Sequence, residues 1–320
     1  MAEIVLAVGT SHSPQLSIPP EGWQALGEMD RANPDIPFAE LERRRAKGLQ
    51  SALNRAEWQA RYARCQAAIT QLGAFLTAQP LDALVVVGDD QGELWGPEEH
   101  PALAVFAGET VWDVPIDPKT VAPAYRPAMW AWHGTAPEPY AGHPALARHI
   151  LEGLTRRGFD ATQVTQQLPG RTLGHAFTFV RRRLGVPPSV PLVPVMLNEF
   201  FPPNIPTPAR CVALGEALGD ILASWADDKR IGLVASGGLT HFVIEEEIDR
   251  AVLDALVQQR PDRLADLPEA QLVSGSAEIR NWIVVAAAVA GRLRPNVVDY
   301  VPTYRSEAGT GVGMGFMIWQ

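Results

Sequence analysis

Four runs of branched apolar residues constrain this chain most, because none leaves a face for water and each stops at a cluster of polar side chains. Glu3-Ile4-Val5-Leu6-Ala7-Val8 stops at Gly9-Thr10-Ser11-His12, and Ala83-Leu84-Val85-Val86-Val87 at Gly88-Asp89-Asp90-Gln91. Pro191-Leu192-Val193-Pro194-Val195-Met196-Leu197 stops at Asn198-Glu199, and Ile231-Gly232-Leu233-Val234-Ala235 at Ser236-Gly237-Gly238-Leu239-Thr240-His241. Strands without a solvated face belong in a parallel or mixed sheet covered on both sides by helices. The expected fold is therefore α/β, with a central mostly parallel or mixed sheet flanked by helices. In such sheets function collects at the carboxyl ends of the strands. One cleft lined by His12, the Asp89-Asp90-Gln91 loop, Asn198 and His241 is expected, and it reads as the site of an enzyme.

The 320 residues suffice for one large catalytic domain spanning the whole chain. A formal charge of -9 with no basic block argues against a nucleic-acid partner. Cys65 and Cys211 are the only cysteines, lie in no CxxC pair, and read as buried free thiols of a reducing compartment. With no apolar stretch long enough to cross a bilayer and no basic leader before the first strand, a cytoplasmic protein without a membrane partner is expected.

Residues 38–78 carry helical spacing with alternating charge and form an expected helical insert between the first two strands. Further helices are expected at 144–157, 207–226, 245–258 and 276–290. Residues 112–142 hold six prolines and three tryptophans without a clear period. A loop of that length inside a compact domain is usually functional, so a lid over the cleft is expected.

The chemistry rests on histidines and a few carboxylates. His12 and His241 both follow strand ends, and the glycines before His241 let the backbone turn tightly. Two such histidines at separate strands weigh more than either alone. His175, within Leu173-Gly174-His175-Ala176-Phe177, suits a satisfied core residue as well as a site residue. His100, His133, His143 and His149 read as surface or capping residues. Glu278 opens a helix whose continuation is apolar almost all round, so it answers the helix dipole or is carried into the interior, where it needs a cation. Two histidines with one buried carboxylate suit non-haem iron.

These residues also carry a resemblance. Gly9-Thr10-Ser11-His12-Ser13-Pro14, Val87-Gly88-Asp89-Asp90-Gln91, Gly174-His175-Ala176-Phe177 and Ser236-Gly237-Gly238-Leu239-Thr240-His241-Phe242, followed by Glu278-Ile279-Arg280-Asn281-Trp282 and Ala308-Gly309-Thr310-Gly311, occur in an order that resembles the class III extradiol ring-cleaving dioxygenases. The likeness is nearest to their 3-O-methylgallate branch, within the superfamily of the protocatechuate 4,5-dioxygenase catalytic subunit. It implies a non-haem Fe(II) enzyme that opens a catechol- or gallate-type ring with O2, with a small aromatic substrate and a homo-oligomer, with or without a second subunit. By the same likeness His12 and Glu278 are iron ligands, His241 is the general base, and His175 is a second acid/base or hydrogen-bonding group. Better-known members have a histidine where this chain has Gln91. Gln91 is favoured as the replacement ligand on alignment, Asp90 is the runner-up, and water is the remaining choice. The missing histidine also admits an alternative, a catalytically degenerate subunit that partners an active paralogue.

Overall fold

The structure is a computed structural model and describes residues 1–96, 98–225 and 228–320. Its strands are β1 (Glu3–Thr10), β2 (Ala83–Asp89), β3 (Leu103–Phe106), β4 (Thr110–Asp113), β5 (Glu138–Ala141), β6 (Thr162–Val164), β7 (Leu192–Leu197), β8 (Arg230–Ser236), β9 (Pro295–Tyr304) and β10 (Gly311–Trp319). Its α-helices are α1 (Pro14–Ser17), α2 (Trp23–Ala32), α3 (Phe38–Leu49), α4 (Arg55–Thr77), α5 (Pro144–Arg156), α6 (His175–Leu184), α7 (Pro208–Ala223), α8 (Glu246–Val257) and α9 (Ile279–Val289). The expected end of α7 at Ala226 lies outside the described residues.

Eight strands form one mixed sheet in the order β6-β3-β7-β2-β8-β1-β10-β9, while β4 and β5 pair separately. The four apolar runs are β1, β2, β7 and β8, mutually parallel at its centre. β10 lies antiparallel to β1, and β9 antiparallel to β10. Alternate residues feed two cores: Val85, Val87, Val193 and Leu233 pack with α5, α7 and α9, whereas Leu84, Val86 and Val234 pack with α4 and α6. Helices on both faces explain why these strands carry no polar alternation.

Local chemistry sets the helix ends. Asn54 caps α4 by accepting from the Glu57 amide, and Thr207 caps α7 by accepting from that of Arg210. Pro144 and Pro208 stand at first-turn positions, where no amide hydrogen is needed. α9 is buried along its whole length, and its amino end points at the carboxyl end of β8. No helix among the described residues is long and apolar enough to cross a membrane.

Candidate active site

The carboxyl ends of β1, β2 and β8 and the amino ends of α6 and α9 converge on one cavity of about 440 Å³. His12 lies two residues beyond β1, Asp89 closes β2, and Glu278 is the cap of α9. One ligand atom from each of these three buried residues lies within 4.8 Å of the others. His12 Nε2 stands 3.5 Å from Glu278 Oε1 and 4.0 Å from Asp89 Oδ1.

Hydrogen bonding orients the His12 ring. The Ser236 hydroxyl donates its one hydrogen to the Ala176 carbonyl at 2.6 Å, so it must accept from His12 Nδ1 at 3.1 Å. Nε2 is therefore the nitrogen aimed at the two carboxylates, oriented as a metal-binding imidazole is oriented by its outer partner. His12 Nε2 and Asp89 Oδ1 are both buried without a hydrogen-bond partner. Two buried acceptors facing each other are costly unless a cation or proton joins them. One imidazole nitrogen and two carboxylates without thiolate suit a divalent first-row metal.

The charges agree with that reading. Burial and then repulsion from Glu278 push the Asp89 carboxyl up. Burial also opposes the charge of Glu278, but the His12 and His241 rings outweigh it and hold this carboxyl well below the usual range.

Gln91 sits beside the cluster. Its Nε2 donates to Asp89 Oδ2 at 2.9 Å and faces Glu278 Oε1 at 3.4 Å. The amide nitrogen thus faces both carboxylates, and the carboxylate oxygen nearest His12 Nε2 on this loop belongs to Asp89. Asp90 is committed elsewhere. Its oxygens accept from the backbone amides of Gly92, Leu94 and Trp95 and fold the loop after β2. Burial and the Glu93 carboxylate push it up to about 7.

His241 borders the same carboxylate, with Nε2 3.4 Å from Glu278 Oε1. Its Nδ1 donates to the Leu239 carbonyl at 2.8 Å, and Ser276 clamps its backbone by accepting from the amide and donating to the carbonyl. Gly238 and Gly275 flank the ring. A Cβ at Gly238 would stand 2.7 Å from His241 Cε1, and one at Gly275 would overlap the ring. Burial disfavours the imidazolium, but the Glu278 carboxylate outweighs it and raises the pKa.

His175 opens α6, its ring 4.7 Å from that of His12. Both its amide and its Nδ1 donate to Glu93 Oε1, at 2.8 and 2.6 Å. Burial opposes its charge, yet Glu93 carries it up to about 9, and Glu93 itself falls to about 2. The His175 ring therefore faces the cavity with its Nδ1 tied to a carboxylate that favours the imidazolium.

Sequence reasoning missed some of the wall. His133, expected at the surface or as a cap, is buried and bonded through Nδ1 to Asp113 at 2.6 Å, with Arg182 on the other Asp113 oxygen. The His100 side chain is covered too, stacked on Phe201, though the residue as a whole is only partly buried. His143 does cap α5. Asn198, expected in the cleft, instead ties its own loop to Phe201 and Asn204, and the neighbouring Phe200 lines the cavity. From the 112–142 segment the cavity receives Ile116, Thr120, Val121, Ala122, Tyr125, Trp132 and His133. Of its tryptophans, Trp112 and Trp130 are 45% and 53% exposed, so only Trp132 presents a ring to the cavity. The nearest available signal was the Trp132-His133-Gly134 run at the close of the proline-rich segment.

Residues 131–316 match the family described as the catalytic LigB subunit of aromatic ring-opening dioxygenase. This stretch holds His175, His241 and Glu278 but neither His12 nor Asp89. The chain is 31% identical to a gallate dioxygenase of Pseudomonas putida over 54% of its own length and 52% of the relative's. It is 33% identical to a 2,3-dihydroxyphenylpropionate/2,3-dihydroxicinnamic acid 1,2-dioxygenase of Comamonas testosteroni, over 30% of this chain and 28% of that one. The alignments thus span about half or less of the curated relatives. An uncharacterised protein of Escherichia coli K12 superposes on 79% of this chain and 91% of its own, with a TM-score of 0.47 and 17% identity.

Proposed function

The chain belongs to the family of catalytic LigB subunits of aromatic ring-opening dioxygenases, and we propose that it is an Fe(II)-dependent extradiol dioxygenase acting with O2 on a catechol- or gallate-type ring. The observation that carries this reading is the buried His12 Nε2 held against the Asp89 and Glu278 carboxylates, with His241 Nε2 beside the Glu278 carboxylate, inside one cavity. His12, Asp89 and Glu278 would hold the metal, with Gln91 bracing both carboxylates as donor. Bound ferrous iron would supply a site where a catecholate and O2 lie side by side and exchange electrons.

The protein's own groups would manage the protons. His241 Nδ1 is occupied by the Leu239 carbonyl, so Nε2 is the atom that takes the phenolic proton, and imidazole suits that task near neutral pH. His175, kept cationic by Glu93, would donate a proton or hydrogen bond to an oxygen of the reacting ring. Trp132 and Phe200 would flank an aromatic ring, and the 112–142 segment would act as the lid that excludes water.

The test is anaerobic ferrous reconstitution followed by O2 uptake with a panel of catechols, gallates and aminophenols. About one metal per chain and turnover of at least one catechol support the reading. Failure to hold metal would leave the degenerate subunit. His241→Gln should retain metal while turnover falls by roughly 10²–10⁴-fold, and equal loss of both would make His241 a ligand instead.

A further inference from the structure

The turn that carries His241 is anchored from behind by a carboxylate outside the cavity. Asp249, in α8, is fully buried. Its Oδ1 accepts from the Thr240 amide at 2.8 Å, and its Oδ2 accepts from the Thr240 hydroxyl at 2.9 Å and from the Tyr300 hydroxyl at 2.6 Å. All three donors are neutral. The Thr240 hydroxyl also accepts from the Glu245 amide, which ties the turn to the start of α8. β10 presses on the same carboxylate, since a Cβ at Gly313 would collide with Oδ2.

We propose that Asp249 is a positioning residue for the reaction, acting through Thr240 to fix where His241 Nε2 points. The inference rests on His241 being the base. Burying a carboxylate against neutral donors alone is a costly way to hold a loop, and here all of that hydrogen bonding falls on the residue before His241 or on the tyrosine that steadies the carboxylate. Ser276 grips the His241 backbone from the other side, so the histidine has little freedom to adapt if Asp249 lets go. A displacement of about 1 Å of a reacting group can cost roughly 10²-fold in rate.

The experiment is a double-mutant cycle on the iron-reconstituted protein, with gallate or whichever catechol of the panel turns over fastest. Asp249→Asn should lower kcat by roughly 10- to 100-fold while KM and iron content stay within about twofold. In a His241→Gln background the same substitution should cost almost nothing more, because the group it positions is gone. Tyr300→Phe should repeat the pattern at a few-fold, and it decides the matter if Asp249→Asn does not fold. Equal losses in the presence and absence of His241 would mean a merely structural role and overturn the proposal. So would unchanged kcat in both variants while His241→Gln is impaired. An unimpaired His241→Gln would overturn the base assignment itself.

Discussion

Replacing Asp89 by Asn separates a metal ligand from a structural acid, because the two roles predict opposite signs in two measurements. Without metal, the Asp89 and Glu278 ligand atoms lie within 4.8 Å, and Asp89 Oδ1 is buried without a partner. Like charges at that separation repel by roughly 3.5 kcal/mol at an effective dielectric near 20. Asparagine removes the repulsion and keeps an oxygen for Gln91 Nε2, now 2.9 Å away. It also turns an N–H toward His12 Nε2, which today faces a carboxylate oxygen at 4.0 Å. With unfolding entropy of about 2.1 cal/mol/K per residue, the metal-free protein should melt higher, by at most about 5 °C. Metal affinity should move the other way. Loss even of an outer-shell partner costs roughly 10–100-fold, so loss of an anionic ligand should cost at least about 100-fold. Gln91→Ala, which removes a brace rather than a ligand, should cost only about tenfold. Scanning calorimetry of chelator-treated protein and competitive titration of ferrous ion under argon read the two quantities. A lower melting temperature in the metal-free protein together with unchanged affinity would refute the assignment of Asp89.

Asp30→Asn should strip the buried Arg305 of its bidentate partner, held at 2.6 and 2.8 Å, and cost about 3–5 kcal/mol. A melting temperature within about 2 °C of wild type would disprove that dependence. Gly275→Ala should push the His241 ring out of place and lower turnover at least tenfold with iron content held, and an unchanged rate would show that the ring can move aside. Burial drives the Asp249 carboxyl up to about 6, above the roughly 3.9 of an unfolded chain. Its contribution to stability is therefore present below about pH 4 and lost as pH rises through 6, by roughly 3 kcal/mol. Relative to Asp249→Asn, wild type should lose stability between about pH 4 and 7, and a pH-independent difference would contradict the shift.

What the sequence made legible follows from which signals are local. β1, β2, β7 and β8 were plain because burial on both faces writes itself as an unbroken apolar run. β10 was not, because Gly311-Val312-Gly313-Met314-Gly315-Phe316 alternates with glycine, which packs against Thr303, Asp249 and Leu239 yet offers no hydrophobic period of its own. At the site, His12, His175, His241 and Glu278 were visible as residue types at strand and helix ends, and the structure brings all of them to one cavity. The choice among Asp89, Asp90 and Gln91 was not visible. Three adjacent side chains on a strand end diverge, and only the fold decides that Asp90 turns to the backbone amides while Asp89 turns to His12. The burial of His133 was hidden for a similar reason, since its partner Asp113 lies 20 positions away in sequence, and Arg182, which shares that carboxylate, lies 49 away from His133.

β1 occupies a slot between β8 and β10, so it cannot be seated until residues 230–236 and then 311–319 have been made. His12 hangs from that strand, whereas Asp89 hangs from β2, which also needs β8 as a neighbour. During synthesis the nascent chain must keep an apolar segment unpaired until those later strands emerge, a period in which chaperones would have cause to bind it. A protein cut short before β10 would leave one side of β1 exposed and His12 without a fixed address. The completed sheet thus acts as a checkpoint: the cavity residues that follow β1 are not held in place before β10 has closed over that strand.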